Sequence, residues 1–179
     1  GAIKQPTEAW AAAMERNAAI ARRIATRTPD PELDAAMTTL AFGNEGLWAS
    51  QAFVHGGWSW RSAYLGWRIL YGPTVYGWTD RVRKNILNHC RLCVIPEGDD
   101  VGGISDMLER VGLYYNMNEV FFDMVRHYFD YTNDVELMKE LFPAFEGAIE
   151  RENRRLRPAG GVLYENALNT WISDSHWYI

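Results

Sequence analysis

The sequence predicts an all-α fold of repeated helical hairpins, arranged as a toroid or a solenoid. Three observations carry this. Apolar residues recur at helical spacing in successive stretches. Breaks containing Pro and Gly, with capping residues beside them, separate those stretches. A helix apolar on most sides is followed by a one-sided helix twice over, at 59–71 then 75–93 and at 116–131 then 134–156. That alternation is expected of stacked hairpins with inner and outer members.

The first helix is expected over 7–27, rich in Ala and Arg, with Trp10, Met14, Ala21 and Ile24 on one stripe. Thr28-Pro29-Asp30-Pro31 stops it and starts a second, 31–50. Asp30 suits the N-cap and Pro31 the first helical position. Gly43 and Gly46 weaken the later part of that helix. Gly56-Gly57 breaks the chain, a third helix covers 59–71, and Gly72-Pro73 ends it. A fourth runs over 75–93 and closes at Pro96-Glu97-Gly98. From 94 to 114 no regular period is visible, and this connection carries Asp99, Asp100, Asp106 and Glu109. A connection of that length in a compact domain is commonly functional or disordered, and Tyr114-Tyr115 argues that it packs down. In the fifth helix, 116–131, Val120, Phe121, Phe122, Met124, Val125, Tyr128 and Phe129 leave little polar surface. In the sixth, 134–156, Met138, Leu141, Phe142, Phe145, Ile149 and Leu156 mark one stripe. Asn133 is placed to cap it, with Glu136 three residues on.

Composition narrows the function. The 179 residues make one domain, 1–179, or a piece of a larger one. At 47% hydrophobic and 23% charged the chain is ordinary for a globular protein. A net charge of −5 without a basic block argues against nucleic acid as a partner. No apolar run reaches the roughly 18 residues of a membrane helix. The opening GAIKQPTEAW has no apolar signal core, and its leading Gly fits a cleavage scar, in which case a natural signal peptide would be missing from this sequence. Two cysteines, Cys90 and Cys93, lie in HCRLC. A structural zinc site needs four ligands and only His89 is near. The pair reads better as small core residues on one helix face, so no metal and no cofactor is expected.

The densest chemistry lies between Phe53 and Trp78. Trp58, Trp60, Trp67 and Trp78 are four of the chain's eight tryptophans, and His55, Arg61, Tyr64, Tyr71 and Tyr76 sit among them. Flat faces beside polar groups suit a sugar, whose C–H face stacks on indole and whose hydroxyls bond to His or Arg. The same residues also suit a core of aromatics with polar tips. Two further segments mix aromatic and polar side chains before an expected inner helix: the 94–114 connection and ENALNTWISDSHW.

On HGGWSWR, YNMNEVFFDMVRHYFDYTND and NTWISDSHW, and on the hairpin spacing, the chain from about Asp30 to Ile179 resembles glycoside hydrolases of the six-hairpin, (α/α)6-toroid type. More narrowly, it is similar to glycosidase-like proteins of gut Bacteroidetes. The resemblance implies about three of six hairpins, a partial barrel. It is either one half cut short at Ile179 or a half that pairs with a second copy. It also implies a carbohydrate substrate, a periplasmic or extracellular location, and acid/base hydrolysis of a glycosidic bond. In the inverting case two carboxylates sit roughly 6.5–9.5 Å apart.

Carboxylates on the cavity-facing segments are then the candidates. Asp174 comes first, because Trp171 and Trp177 flank it and apolar surroundings raise a carboxyl pKa. Its alternative is a helix cap, a job that Ser173 and Ser175 do equally well. Asp106 and Asp100 follow on the long connection, against the alternative of solvated loop charges. Glu45, in GNEGLW, is approachable between glycines. Glu119 in the first turn of its helix and Glu165 on the rim have weaker claims. Trp58, Trp60, Trp171 and Trp177 would stack on sugar, and His55, Arg61 and His176 would bind hydroxyls. The chain departs from its relatives in two places. Gly57-Trp58-Ser59-Trp60-Arg61 lacks the carboxylate of a GW-x-GD/E pattern, and Asp174-Ser175-His176-Trp177-Tyr178 ends in Tyr where a related ESGWD stretch ends in Asp. The rivals are a non-catalytic helical domain that binds glycan or protein, and an epimerase or isomerase on the same barrel type. Six helices cannot close a full ring, so an exposed apolar edge and dimerisation are expected.

Overall fold

The computed structural model describes residues 5–54, 67–105 and 118–156. Of these residues 72% are helical and none lies in a strand. The helices are α1 (Pro6–Ala21), α2 (Pro31–Gly46), α3 (Trp67–Val75), α4 (Thr79–Cys93), α5 (Asn118–Thr132) and α6 (Val135–Leu156). The all-α expectation holds. The starts expected at 59 and 116 lie outside the described residues.

Local chemistry sets most helix ends. Asp30 caps α2, its carboxylate accepting from the amides of Glu32 at 2.9 Å and Leu33 at 3.4 Å, with Pro31 in the first turn. The expected stop of α3 at Gly72-Pro73 is corrected. The helix continues through both residues and ends where Gly77 takes φ +78. There the Gly77 amide donates to Thr74 O at 3.1 Å and the Trp78 amide to Pro73 O at 2.9 Å, a Schellman closure. α4 therefore starts at Thr79 rather than 75. The expected cap of α6 is corrected too. Asp134, not Asn133, accepts from the Leu137 amide at 2.9 Å. Asn133 sits at φ +51 and donates its amide to Phe129 O at 2.8 Å, so it ends α5 instead.

α3 packs most extensively on α5. α4 packs on α3, α5 and α6, and α5 packs on α6. The core is Leu70 of α3, Val82, Ile86 and Cys93 of α4, Phe121, Met124 and Val125 of α5, and Leu137, Leu141 and Ala148 of α6. Phe145 lies edge-on to Phe121 and Phe122, with ring centroids 5.8 and 5.1 Å away. The α6 stripe thus lies a little round the helix from the expected one. Leu137, Leu141 and Ala148 are buried, while Phe142 and Ile149 are exposed. α1 departs further. Among the helices it packs on α2 alone. One neighbour covers only a narrow face, so Ile20 is buried while Trp10 is 70% and Met14 52% exposed.

The expected aperiodic connection after α4 is an ordered ribbon as far as it is described. Val94 bridges Ile104 antiparallel, and the amides of Ile95 and Gly102 exchange hydrogen bonds with Gly103 O and Ile95 O. At its tip Gly102, φ +85, lies against the α6 backbone. A Cβ there would come within 2.4 Å of Gly147 O.

Candidate functional site

The richest described constellation forms where α1 ends. The chain leaves the helix at Ala21, with the Arg22 amide donating to Ala18 O at 3.2 Å and the Arg23 amide to Ile20 O at 3.1 Å. This turn lays Arg23 on Trp78, which the Schellman closure has placed just ahead of α4. The Arg23 guanidinium carbon lies 4.4 Å from the Trp78 ring centroid, and its Nη1 donates to Tyr76 O at 3.1 Å. Arg81, on the first turn of α4, approaches the same ring at 5.7 Å and Trp48 at 5.4 Å. Its Nη1 and Nη2 donate to Glu45 Oε2 at 2.5 Å and Oε1 at 3.4 Å. Tyr76 ties the floor to α2 by donating its hydroxyl to Met37 O at 2.7 Å.

Arg16, Ala19, Ile20, Arg22, Arg23, Glu45, Trp78 and Arg81 line an open pocket of about 340 Å³. Four arginines and one carboxylate thus line it, and of the four only Arg81 is bonded to Glu45. Burial and the neighbouring Arg81 push Arg23 below the ordinary arginine pKa, against the opposing pull of Glu45.

Asp100 belongs to a different network. Arg151, only 8% exposed at its side chain, donates to Asp100 Oδ1 through Nε at 3.1 Å and Nη2 at 2.7 Å. It reaches Glu152 through Nη1 at 3.1 Å. Asn118 completes the junction, accepting from the Ile104 amide at 2.8 Å and donating to Glu152 Oε1 at 2.7 Å. These bonds fasten the ribbon to α5 and α6.

A third polar group lies along the α3–α5 contact. The Tyr71 hydroxyl donates to Asp123 Oδ2 at 2.5 Å, and Arg126 donates to Oδ1 at 2.9 Å. The Tyr71 bond, then that from Arg126, holds the Asp123 carboxyl below its ordinary pKa, and the same Tyr71–Asp123 bond is the main cause of a raised Tyr71. The His127 ring lies tilted between those of Tyr71, at 4.3 Å, and Tyr131, at 5.1 Å.

Of the residues proposed from sequence, Glu45 and Asp100 are described, and they fall in separate networks, each engaged by an arginine. Asp106, Asp174, His55, Trp58, Trp60, Arg61, Trp171, His176 and Trp177 lie outside the described residues. Arg16, Arg22, Arg23 and Arg81 carried no sequence signal beyond the Arg-rich character of the first helix. Trp78 did stand in the aromatic stretch, but as one tryptophan of several. Among the described residues no group of three or more His, Cys, Asp or Glu is placed to hold a metal ion. No described helix is long and apolar enough to cross a membrane. Cys93 is buried and Cys90 half-buried, both as free thiols, and burial, then Glu140, pushes Cys90 above its ordinary pKa. Comparison of the chain with protein-family models, with curated proteins and with solved structures finds no match.

Proposed function

We propose that the chain is a helical-hairpin domain of the toroid type that hydrolyses a glycosidic bond in an oligo- or polysaccharide by carboxylate acid/base catalysis. The observation that supports it best is the packing order of the last four helices. α3 lies on α5 and α4 on α6, while α3–α4 and α5–α6 are the sequential hairpins. That is the neighbour pattern of inner and outer helices in a ring or solenoid wall. The segments that precede α3 and α5 in the sequence hold His55, Trp58, Trp60, Arg61 and Asp106. α1 and α2 do not continue the pattern, since α2 packs on α3 and α1 on α2 alone. Exposed Trp10, Met14, Leu33 and Leu40 favour further hairpins or a second copy as their neighbour.

Glu45 already commits both oxygens to Arg81, and Asp100 commits its Oδ1 to Arg151. The proposal therefore rests the acid and base on Asp174 and Asp106, with Trp171 and Trp177 stacking beside Asp174. The same commitment is what favours the non-catalytic glycan-binding alternative, which needs the aromatics and no free carboxylate pair. Hydrolysis and binding on a panel of plant and host oligosaccharides, by this chain and by a version extended past Ile179, separate the two. Cleavage that falls by roughly 10²–10⁴-fold in Asp174→Asn, with sugar binding retained, is the expected result. Binding without cleavage in both versions leaves the non-catalytic reading.

A further inference from the structure

We propose that the cavity between the end of α1, α2 and the start of α4 is an anion-binding site that takes the carboxylate, sulfate or phosphate group of a small, ring-sized ligand.

Charge is the first argument. The chain as a whole is acidic, at −5, yet four arginines and a single carboxylate line this pocket. Like charges gathered in one cavity repel, and the depression of Arg23 by burial and then by Arg81 is a sign of that repulsion. An incoming oxyanion relieves it.

Preorganisation is the second. Two of the four arginines are already fixed. Arg23 is stacked on Trp78 and bonded to Tyr76 O, and Arg81 is forked onto Glu45 beside Trp48 and Trp78. Their side-chain entropy is lost on folding rather than on binding. Arg16 and Arg22 differ. Like Arg23 both are exposed, but unlike it neither side chain has a hydrogen bond or ion pair among the described residues. Their forks are free to close on a ligand, and a guanidinium offers two parallel donors to a carboxylate, sulfate or phosphate.

Size and lining set the ligand class. A volume of about 340 Å³ lies at the small end of the roughly 300–1,000 Å³ typical of ligand pockets. It accommodates a group the size of one ring. Ala19 and Ile20 supply an apolar wall for the carbon body of that ring. Glu45 repels a second negative group, so the site favours a ligand with one anionic end.

Calorimetric titration of the chain at low ionic strength tests this, using glucuronate, glucose 6-sulfate, glucose 6-phosphate, inorganic sulfate and glucose. The anionic sugars are expected to bind at least about tenfold more tightly than glucose. Binding should weaken as ionic strength rises from about 0.01 to about 0.15 M and the Debye length falls from about 30 to about 8 Å. The Arg16→Gln/Arg22→Gln double variant removes only exposed, unpaired groups, and its helical circular dichroism should stay unchanged while affinity falls about tenfold or more. Glu45→Gln keeps an acceptor for Arg81 but removes the opposing charge, and should tighten anion binding. Inorganic sulfate binding as tightly as the sugar anions assigns the site to the free oxyanion, and a preference for the sugars assigns part of the affinity to the ring. Equal affinity for glucose and glucuronate, or a double variant that binds like the parent, overturns the proposal. The readout is binding at arginines that the proposed hydrolysis does not use, so either reading can fail without the other.

Discussion

His89 has no exposed surface, and its Nδ1 lies 3.0 Å from the Asn85 carbonyl one turn back and 3.1 Å from the Asn85 amide nitrogen. Its Nε2 is buried and unpartnered among the described residues. Asn85 in turn accepts the Phe53 amide at 2.7 Å, tying the turn after α2 to α4. Burial pulls the imidazole down to about 4 from its ordinary 6.5, the Asn85 bond opposing only in part. Between those two values the unfolded chain binds a proton that the folded chain refuses. Stability from this group is therefore fully present above about pH 6.5 and lost progressively down to about pH 4, by roughly 3 kcal/mol. Urea unfolding at about pH 7 and about pH 4.5 should show His89→Leu losing less stability than the parent over that interval; equal losses would remove His89 from the account. HCRLC marked His89 only as a third group near two thiols, one short of a zinc site, because a sequence does not report what surrounds a residue on its other faces.

At the scale of elements, the two glycines where the ribbon meets α6 make a sharp comparison. Gly102 has positive φ, and a Cβ there would run into the Gly147 carbonyl. A Cβ on Gly147 would meet Gly102 Cα at 3.5 Å, an ordinary contact. Gly102→Ala should cost about 2 kcal/mol or more. Gly147→Ala, in a helix interior, should be neutral or stabilising by up to about 1 kcal/mol. Thermal or denaturant unfolding of both variants checks the pair, and a Gly102→Ala as stable as the parent would show that the ribbon does not press on α6. The helix ends were legible where one residue decides them, as with Asp30 and Pro31. They were misread where two candidates compete. Gly72-Pro73 looks like a stop, yet the left-handed residue that closes α3 is Gly77. Asn133 and Asp134 are both capping residues, and the left-handed turn after α5 takes the Asn and leaves the Asp to cap α6. Burial by itself would raise the Asp134 carboxyl, but the Leu137 amide and Arg83 outweigh it and hold it below its ordinary value.

Across the whole molecule, two tryptophans show how unevenly the core is shared. Trp78 is 4% exposed and joins the turn after α1 to α3 and α4, whereas Trp10 is 70% exposed on a helix with one neighbour. Trp78→Ala should cost about 3–5 kcal/mol, and Trp10→Ala about 0.5 kcal/mol or less. Equilibrium unfolding of the two variants measures the difference, and equal losses would mean that α1 is held more firmly than its single neighbour implies. The stripe expected on α1 assumed that an apolar face meets a partner, and α1 has too few partners to cover it. The sequence by itself determined the all-α class, the six helices found among the described residues and the one-sided character of α6. Each follows from residue spacing and caps within one segment. The contrast it drew between α4 and α5 does not hold, because both bury one face and expose the other. Only the tertiary structure decided that Glu45 would meet Arg81, that Asp100 would meet Arg151, and that Arg23 would lie over Trp78. Those pairs lie 36, 51 and 55 residues apart in the chain. Long-range juxtaposition depends on how helices pack, and no local period in the sequence encodes it.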